Sequence, residues 1–241
     1  MSRLLDTRHD HVNTVYMVLR STPRPRVLKR TAVRAGAFLR GVDDTRAQLA
    51  SAARDVFLES GPAHFSLREV ARRVGVSAAA VYRHFEDKEA LVFAACTQGF
   101  QVFSSYLVRA LSEPTPLARL LATGEQYRLF GLENPLDYRF IFMSSADELG
   151  LATAHQQRRT AAATLPQDST FRFLVDRIKE CMAAGVLGSG DAEATAVVIW
   201  AHVHGLVSLR LSNHLGPIGD DQAFAAFYRA SVERLLLSLA D

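Results

Sequence analysis

Apolar residues recur at helical spacing along most of the chain from residue 43 onward. The first repeat consists of Leu49, Ala53, Val56 and Phe57. Asp43 or Asp44 can cap the start of this helix, and Gly61-Pro62 is a stop signal at its end. The same spacing predicts further helices over about 87–111, 116–132, 135–143, 168–184, 191–213 and 221–239. Alternation of apolar and polar residues is nowhere long enough to predict a sheet, so the pattern predicts an all-α protein.

Two short helices joined by a glycine turn follow the first helix. Ser66, with Glu69 three residues later, forms a capping box and predicts a helix start. The apolar side of this helix consists of Leu67, Val70, Ala71 and Val74. Gly75 ends it, and Ser77 caps another helix immediately afterwards. Two short helices separated by such a turn are typical of a helix-turn-helix, here over about residues 66–85.

The second of these helices has the composition of a surface that reads DNA. Val81 and Phe85 are four residues apart and are expected to face inward. The outward rows begin with small residues and continue with larger polar ones, as Ala78 with Tyr82 and Ala79 with Arg83. Small residues let a helix backbone approach base edges in the major groove, and a helix N-terminus favours phosphate.

Positive charge is concentrated at two places along the chain. Residues 61–85 carry four arginines and one glutamate, a net charge of +3, whereas the whole chain also has a net charge of only +3. Residues 1–40 carry nine Arg or Lys against two Asp, a net charge of +7. The first patch fits either a solvated helix face or a polyanion partner. The basic leader fits either a flexible extension, with Met17 as the true start, or an arm that follows DNA phosphates.

Several classes of site are excluded by the residues present. Cys96 and Cys181 lie far apart without CxxC spacing, which excludes a disulfide framework and favours a reducing cytoplasm. His202 and His204 point about 200° apart on a helix and cannot share a metal. The apolar stretch around them, 196–209, is expected to be too short and too polar to span a membrane. We predict no catalytic residue, no metal ligand, no cofactor and no membrane partner.

The N-terminal part of the chain resembles the TetR/AcrR family of transcription regulators over about residues 43–95. The resemblance is carried by Ala52–Phe57, Gly61, Ser66–Ala71, Val74–Ser77, Val81–Phe85 and Lys88–Leu91. It implies that Lys88 grips phosphate, that Tyr82 and His84 contact the DNA backbone, and that Arg68 reads a guanine. The DNA-contact set implied is Ser66, Arg68, Ser77, Ala78, Ala79, Ala80, Tyr82, Arg83, His84 and Lys88.

The C-terminal part resembles the family's Trp-His-Gly type of domain through Asn134–Arg139 and Trp200–Leu206. The family implies a ligand cavity here, for which an apolar or aromatic effector is the natural ligand. The predicted contacts are Phe103, Tyr106, Tyr127, Phe130, Phe142, Trp200 and His204. Helices 191–213 and 221–239 are apolar on more than one side, and the family implies that they form a homodimer interface.

Together these features predict a cytoplasmic, dimeric, sequence-specific regulator that binds a palindromic operator in double-stranded DNA. Its predicted domains are a basic leader over 1–42, a three-helix DNA-binding domain over 43–90 and a ligand-binding and dimerisation domain over 91–241. A repressor released by its effector is the main hypothesis. The alternatives are an activator, a non-specific DNA-binding protein, or a helical enzyme that binds small molecules.

Overall fold

The computed structural model describes residues 42–145, 148–149 and 166–240, and the regular structure within them is helical. Within these residues nine α-helices follow one another: α1 Val42–Ser60, α2 Leu67–Val74, α3 Ala78–His84, α4 Lys88–Leu107, α5 Pro116–Glu133, α6 Pro135–Phe142, α7 Pro166–Ala183, α8 Ala192–Leu211 and α9 Asp221–Ser238. Short 3-10 turns occupy Pro62–His64, Val108–Ser112 and Gly216–Ile218. The all-α prediction is confirmed. The predicted leader lies outside the described residues, apart from Val42.

Helix ends follow local capping chemistry. Asp87 accepts a hydrogen bond from the backbone N–H of Ala90 at 2.6 Å, at the start of α4. Asp191 and Asp220 each accept two backbone N–H groups at the starts of α8 and α9. The expected cap of α1 was wrong, because α1 begins at Val42 and Asp43 and Asp44 already lie inside its first turn. Side-chain caps satisfy backbone donors that have no partner within the helix.

The described residues form two compact units, which divide α4 between them. The first contains α1, α2, α3, the first part of α4 and α6. Its core is continuous and includes Leu49, Ala53, Val70, Val81, Phe85, Leu91 and Phe140. Arg54 on α1 donates to the carboxylate of Asp137 on α6 at 2.5 Å, and both side chains are largely buried. The pair fixes α6 to α1: removing Arg54 would leave the Asp137 charge buried without its cation, whereas Arg54 also pairs with Asp55 on its own helix at 2.8 Å.

The second unit contains the last turn and a half of α4 together with α5, α7, α8 and α9. The buried stripe of α9 recurs at every fourth position, at Phe224, Tyr228, Val232 and Leu236. Tyr228 donates from its hydroxyl to the carbonyl oxygen of Gly124 on α5 at 2.7 Å. Arg119 and Glu180 join α5 to α7 through an ion pair of 2.9 Å. The unit is therefore a helical bundle with polar contacts at its edges.

Both cysteines are buried free thiols, Cys96 in the first unit and Cys181 in the second. Burial raises the pKa of each thiol to about 12, so neither is a thiolate near neutral pH. Their behaviour is that of small apolar core residues.

Two helices of the described residues are long and apolar enough to cross a membrane by length and composition. They are Lys88–Ser112, which continues α4 through a 3-10 turn, and Ala192–Leu211, which is α8. Our expectation that the apolar stretch of α8 is too short was wrong, because the helix extends to 20 residues. In the helix Lys88–Ser112, 50% of the most apolar segment is buried within the protein. In α8, the buried share of the corresponding segment is only 22%. Apolar length is shared by core, interface and membrane helices, and α8 exposes several apolar side chains, including Val197 and Val198.

Candidate DNA interface and effector site

The turn between α2 and α3 is set by Gly75. This residue has φ 77° and ψ 27°, the left-handed region that glycine enters without steric cost. Its N–H donates to the carbonyl of Arg72 at 3.2 Å, and the N–H of Val76 donates to the carbonyl of Ala71 at 3.0 Å. These two bonds form a Schellman motif, which ends α2 and redirects the chain. The predicted helix-turn-helix is confirmed in this geometry.

The two predicted serine caps behave differently. Ser77 Oγ accepts the backbone N–H of Ala80 at 3.1 Å and so caps α3 as expected. Ser66 occupies the N-cap position of α2, but its side chain makes no capping hydrogen bond. The expected capping box is therefore wrong. Glu69, its second half, instead accepts hydrogen bonds from Arg72 and Arg73.

The outward face of α3 is narrower than the sequence suggests. Val81 and Phe85 are buried as predicted, while Ala79 and Arg83 are exposed and Tyr82 is 59% exposed. Ala78 is half-buried, and Ala80 is only 6% exposed. The Ala80 side chain points into the protein, on the same buried side of α3 as Val81. We therefore leave Ala80 out of the proposed DNA contacts, and the exposed face consists mainly of Ala79, Tyr82 and Arg83.

Arg46 on α1 holds the C-terminal end of α3, a role that the sequence patterns did not predict. Its guanidinium donates to the carbonyl of His84 and lies 4.2 Å from the centre of the Phe85 ring. A cation is favourable there, because the carbonyls at a helix C-terminus carry partial negative charge. The contact joins residues 38 positions apart, so no local pattern in the sequence announces it. His84 is thus held through its backbone, and its side chain is half-buried.

Ion pairs neutralise part of the positive charge that the sequence places over residues 61–85. Glu69 pairs with Arg72 and Arg73, and Arg73 also pairs with Glu59, which lies just before the patch in sequence. Hydrogen bonds from Arg72 and Arg73 lower the pKa of Glu69 to about 2, so its carboxylate stays ionised at neutral pH. Among the described residues, Arg68 and Arg83 are exposed and make no ion pair. They are the arginines of this segment available to a polyanion.

Lys88 occupies an electrostatically unfavourable position for its own helix. It is the first residue of α4, where the helix dipole disfavours positive charge. Its ammonium lies 5.1 Å from the centre of the ring of Phe65, a residue just before α2, and Lys88 itself is half-buried. An external anion at this helix N-terminus would satisfy both the lysine and the exposed backbone N–H groups.

Four of the predicted effector contacts form an aromatic cluster in the second unit. Phe103 packs edge-to-face on Tyr127 at 5.5 Å between ring centres and also contacts Phe130 at 4.9 Å. Tyr106 contacts Phe130 at 5.7 Å, and its hydroxyl donates to Glu133 at 2.7 Å. All four rings are buried. Phe103, Tyr106 and Phe130 are firmly packed core residues that would form the wall of a cavity, whereas Tyr127 also directs its hydroxyl toward α8.

Tyr127, Trp200 and His204 are joined by hydrogen bonds across α5 and α8. The Tyr127 hydroxyl lies 3.0 Å from Nδ1 of His204, and Trp200 donates from Nε1 to the same hydroxyl at 3.4 Å. Nε2 of His204 lies 3.2 Å from Oγ of Ser208. Burial lowers the pKa of His204, so its imidazole is neutral near pH 7. These contacts fit a neutral ring that accepts at Nδ1 and donates from Nε2.

The accessible member of this group is Trp200, whose side chain is 38% exposed and packs on Phe171. Phe142, the remaining predicted effector contact, belongs to the first unit, where it packs on Phe100 and Tyr138. The polar anchors expected from the sequence are thus brought together, whereas Phe142 is part of the packing around α6.

Two family models match the chain. The one described as bacterial regulatory proteins of the tetR family covers residues 49–95. The one described as the tetracyclin repressor-like C-terminal domain covers residues 120–235. The first spans the helix-turn-helix and the start of α4, and the second spans the hydrogen-bonded group around His204.

Relatives and solved structures agree with these matches. The HTH-type transcriptional regulator TtgR of Pseudomonas putida is 28% identical over 190 residues, covering 73% of this chain and 86% of that protein. The HTH-type transcriptional repressor Rv1474c of Mycobacterium tuberculosis is 25% identical over 167 residues, covering 64% and 88%. The crystal structure of the TetR-family regulator PfmR from Thermus thermophilus aligns with a TM-score of 0.59 and 19% identity, over 79% of this chain and 97% of that one. That alignment shows the same fold.

The two serine caps give a matched test of local stability. Ser77→Ala removes the acceptor for the Ala80 N–H and should lower the free energy of unfolding by about 1 kcal/mol. Ser66→Ala removes no capping bond and should change it by no more than a few tenths of a kcal/mol. Urea unfolding of both variants without DNA measures the difference. Equal losses in the two variants would contradict the assignment of a single working cap.

Proposed function

The chain belongs to the TetR family of bacterial DNA-binding transcriptional regulators, and from that premise we propose that it is a repressor released from its operator by a small effector. As a family member it is a regulator and not an enzyme. The finer proposal is a homodimer on a palindromic site, with two α3 helices in successive major grooves about 34 Å apart. An effector of apolar or aromatic character releases it. We place the protein in the cytoplasm, where bacterial DNA lies. The reducing conditions there are compatible with its two buried free thiols.

The exposed face of α3 is the observation that supports our choice of DNA-contacting residues. Its exposed face offers a small residue, Ala79, beside Tyr82 and Arg83. A face of this kind lets the helix backbone come close to the bases and leaves few side chains to read them. Arg68 on α2 and Arg83 therefore carry most of the direct contact, and DNA shape contributes the rest of the specificity.

The mode of regulation rests on the relatives and on the group around His204. A relative named as a transcriptional repressor covers 64% of this chain, which supports repression. The effector is proposed to lie against the exposed ring of Trp200 and to compete for the hydrogen bonds of Tyr127 and His204. Because these bonds join α5 to α8, an effector that binds only when they rearrange would favour a different position of α8.

An apolar face on α8 and α9 supports the proposed homodimer. Val197 and Val198 on α8 are 51% and 47% exposed, and Phe227 on α9 is 42% exposed. His202 on α8 and Ser231 on α9 are joined by a hydrogen bond of 3.0 Å between their side chains. Gly205 also lies on this face, where an added Cβ meets no heavy atom within 4 Å among the described residues. Two copies of such a face would make a four-helix interface in which small residues allow close approach.

Charge contacts can be separated from base contacts by salt dependence. Lys88→Ala should weaken binding to operator and random DNA alike and reduce the salt slope of the binding constant by about 0.9 for each phosphate that is no longer neutralised. Arg68→Ala should instead reduce the sequence preference at one base pair of the operator. The expected loss of discrimination is about 1–3 kcal/mol in binding free energy. Arg72→Ala is the matched control, because Arg72 is already paired with Glu69. Fluorescence anisotropy with a palindrome from the gene's own upstream region measures all three.

Equal losses for Arg68→Ala on operator and random DNA would show that Arg68 contacts only phosphate. If the unmodified protein showed no sequence-specific binding at moderate salt, the proposal that it recognises an operator in this region would be contradicted.

The dimer face can be blocked without disturbing the protomer. Gly205→Trp places a bulky ring on the open side of α8 and should raise the dimer dissociation constant at least tenfold, since overpacking costs about 1–3 kcal/mol. Gly190→Trp is the matched control, because Gly190 is equally open but lies in the turn before α8. Light scattering should show the control at twice 26.5 kDa and the variant shifted toward 26.5 kDa. A monomeric unmodified protein that floats with lipid vesicles would assign the face to a membrane.

The single tryptophan of the chain reports directly on the proposed effector site. Aromatic compounds of naphthalene size that release the operator should also quench or shift Trp200 emission, and should weaken operator binding by about 5- to 150-fold. Titration of emission and of DNA binding with the same compound should give matching midpoints. Compounds that release DNA without changing Trp200 emission would place the effector elsewhere.

A further inference from the structure

A cleft lies in the helical bundle, between α5 and α9, and is lined by residues other than the predicted effector contacts. Its volume is about 160 Å³, and none of the seven predicted effector residues lines it. An engineered apolar cavity of about 150 Å³ is enough to hold benzene, so this cleft suits a ligand with one ring or a short alkyl body. Its wall contains an apolar part formed by Ala118, Leu121, Ala122 and Val232.

The charged part of the same wall is acidic. Glu113, Glu125 and Glu233 line the cleft together with a single cation, Arg229. Glu125 is already engaged by Arg128 through two hydrogen bonds of 2.7 and 3.0 Å. Glu233 makes no ion pair among the described residues, and Arg229 lies one helical turn before it on α9. The surplus of negative charge disfavours an anionic ligand.

Glu233 is the side chain that most needs a partner. Burial raises its pKa, and the nearby Arg229 only partly opposes this effect. The carboxylate is therefore partly desolvated and has no ion-pair partner among the described residues. A donor that enters the cleft would replace the lost hydration of this group.

The polar groups beside Glu233 lack donors as well. Gln126 lines the cleft, and its buried Oε1 has no hydrogen-bond partner among the described residues. The Tyr228 hydroxyl is committed to the carbonyl of Gly124. Gln126 Oε1 and the Glu233 carboxylate are therefore two acceptors of this wall that receive no hydrogen bond from the described residues, which favours a ligand that carries several N–H groups.

A metal ion does not fit this wall. Within the part of the chain that the structure describes, no group of three or more His, Cys, Asp or Glu is placed to hold one. Hard divalent cations require several oxygen ligands and retain water, whereas a large part of this cleft is formed by alkyl side chains.

We propose that the cleft between α5 and α9 binds a small organic cation, a protonated amine or amidine carried on a body of about one ring. Its charged end lies at the Glu233 carboxylate, and its apolar body lies on Leu121 and Val232. Gln126 accepts a further N–H after its amide turns toward the ligand. The site is independent of the group around His204, and occupancy of one does not require the other.

Isothermal titration of the full chain with benzamidine tests this assignment. Benzamidine should bind saturably at millimolar concentration or below, whereas benzyl alcohol and benzoate, with similar rings but no cationic end, should bind at least tenfold more weakly. Glu233→Gln should lower benzamidine affinity by about tenfold, the usual effect of losing a charged hydrogen-bond partner. Glu193→Gln, on the exposed first turn of α8, is the matched control and should change nothing.

A second variant checks the apolar half of the cleft. Leu121→Trp fills the space with the carboxylates unchanged and should abolish benzamidine binding while circular dichroism and operator affinity stay as in the unmodified protein. Equal binding of benzamidine and benzyl alcohol, or undiminished binding by Glu233→Gln, would overturn the proposal. So would the absence of saturable benzamidine binding to a protein that still binds its operator.

Discussion

The seven-residue helix α3 depends for its shape on contacts made by the rest of the first unit. Isolated helices shorter than about 12 residues are marginal in water, so α3 would not persist alone. Three contacts hold it in place. Ser77 caps its start, Val81 and Phe85 bury its inner side, and Arg46 binds its final carbonyl. Because these contacts come from the turn, the core and α1, the position of the DNA-reading face is a property of the whole unit.

Local chemistry explains which parts of this unit could be predicted from the sequence. Gly75 and Ser77 act within four residues of their own positions, and each has the role that its residue type and place in the sequence predicted. Arg46 and His84 are 38 positions apart, and no pattern along the chain connects them. Ser66 has the right residue type and spacing for a capping box, yet Glu69 is taken by two arginines. Competition for a side chain is decided in three dimensions, which a sequence motif does not record.

Competition between ion-pair partners also changes how the net charge of residues 61–85 is interpreted. Counting residues 61–85 gives four arginines against one glutamate, but Glu59 lies just outside that window and pairs with Arg73. The face that remains relies on Arg68, Arg83 and Lys88. Each phosphate contact contributes through release of counterions, so a head with few such contacts has modest affinity by itself. In the proposed homodimer, joining two heads on one palindrome would raise the effective concentration of the second, so dimer formation would be part of DNA binding rather than an accessory to it.

The proposed effector contacts and the proposed dimer face meet on α8 at adjacent residues. His204 points toward Tyr127 and Ser208, while Gly205 faces the open side of the same helix. The sequence suggested both residues separately, because the Trp-His-Gly pattern names them, but the bond from His204 to Tyr127 joins positions 77 apart. A packed helix moves as a body, so a ligand that replaces this bond would act on the proposed dimer face without any intervening chain of residues. The coupling it can exert is bounded by its own difference in affinity for the two positions of α8.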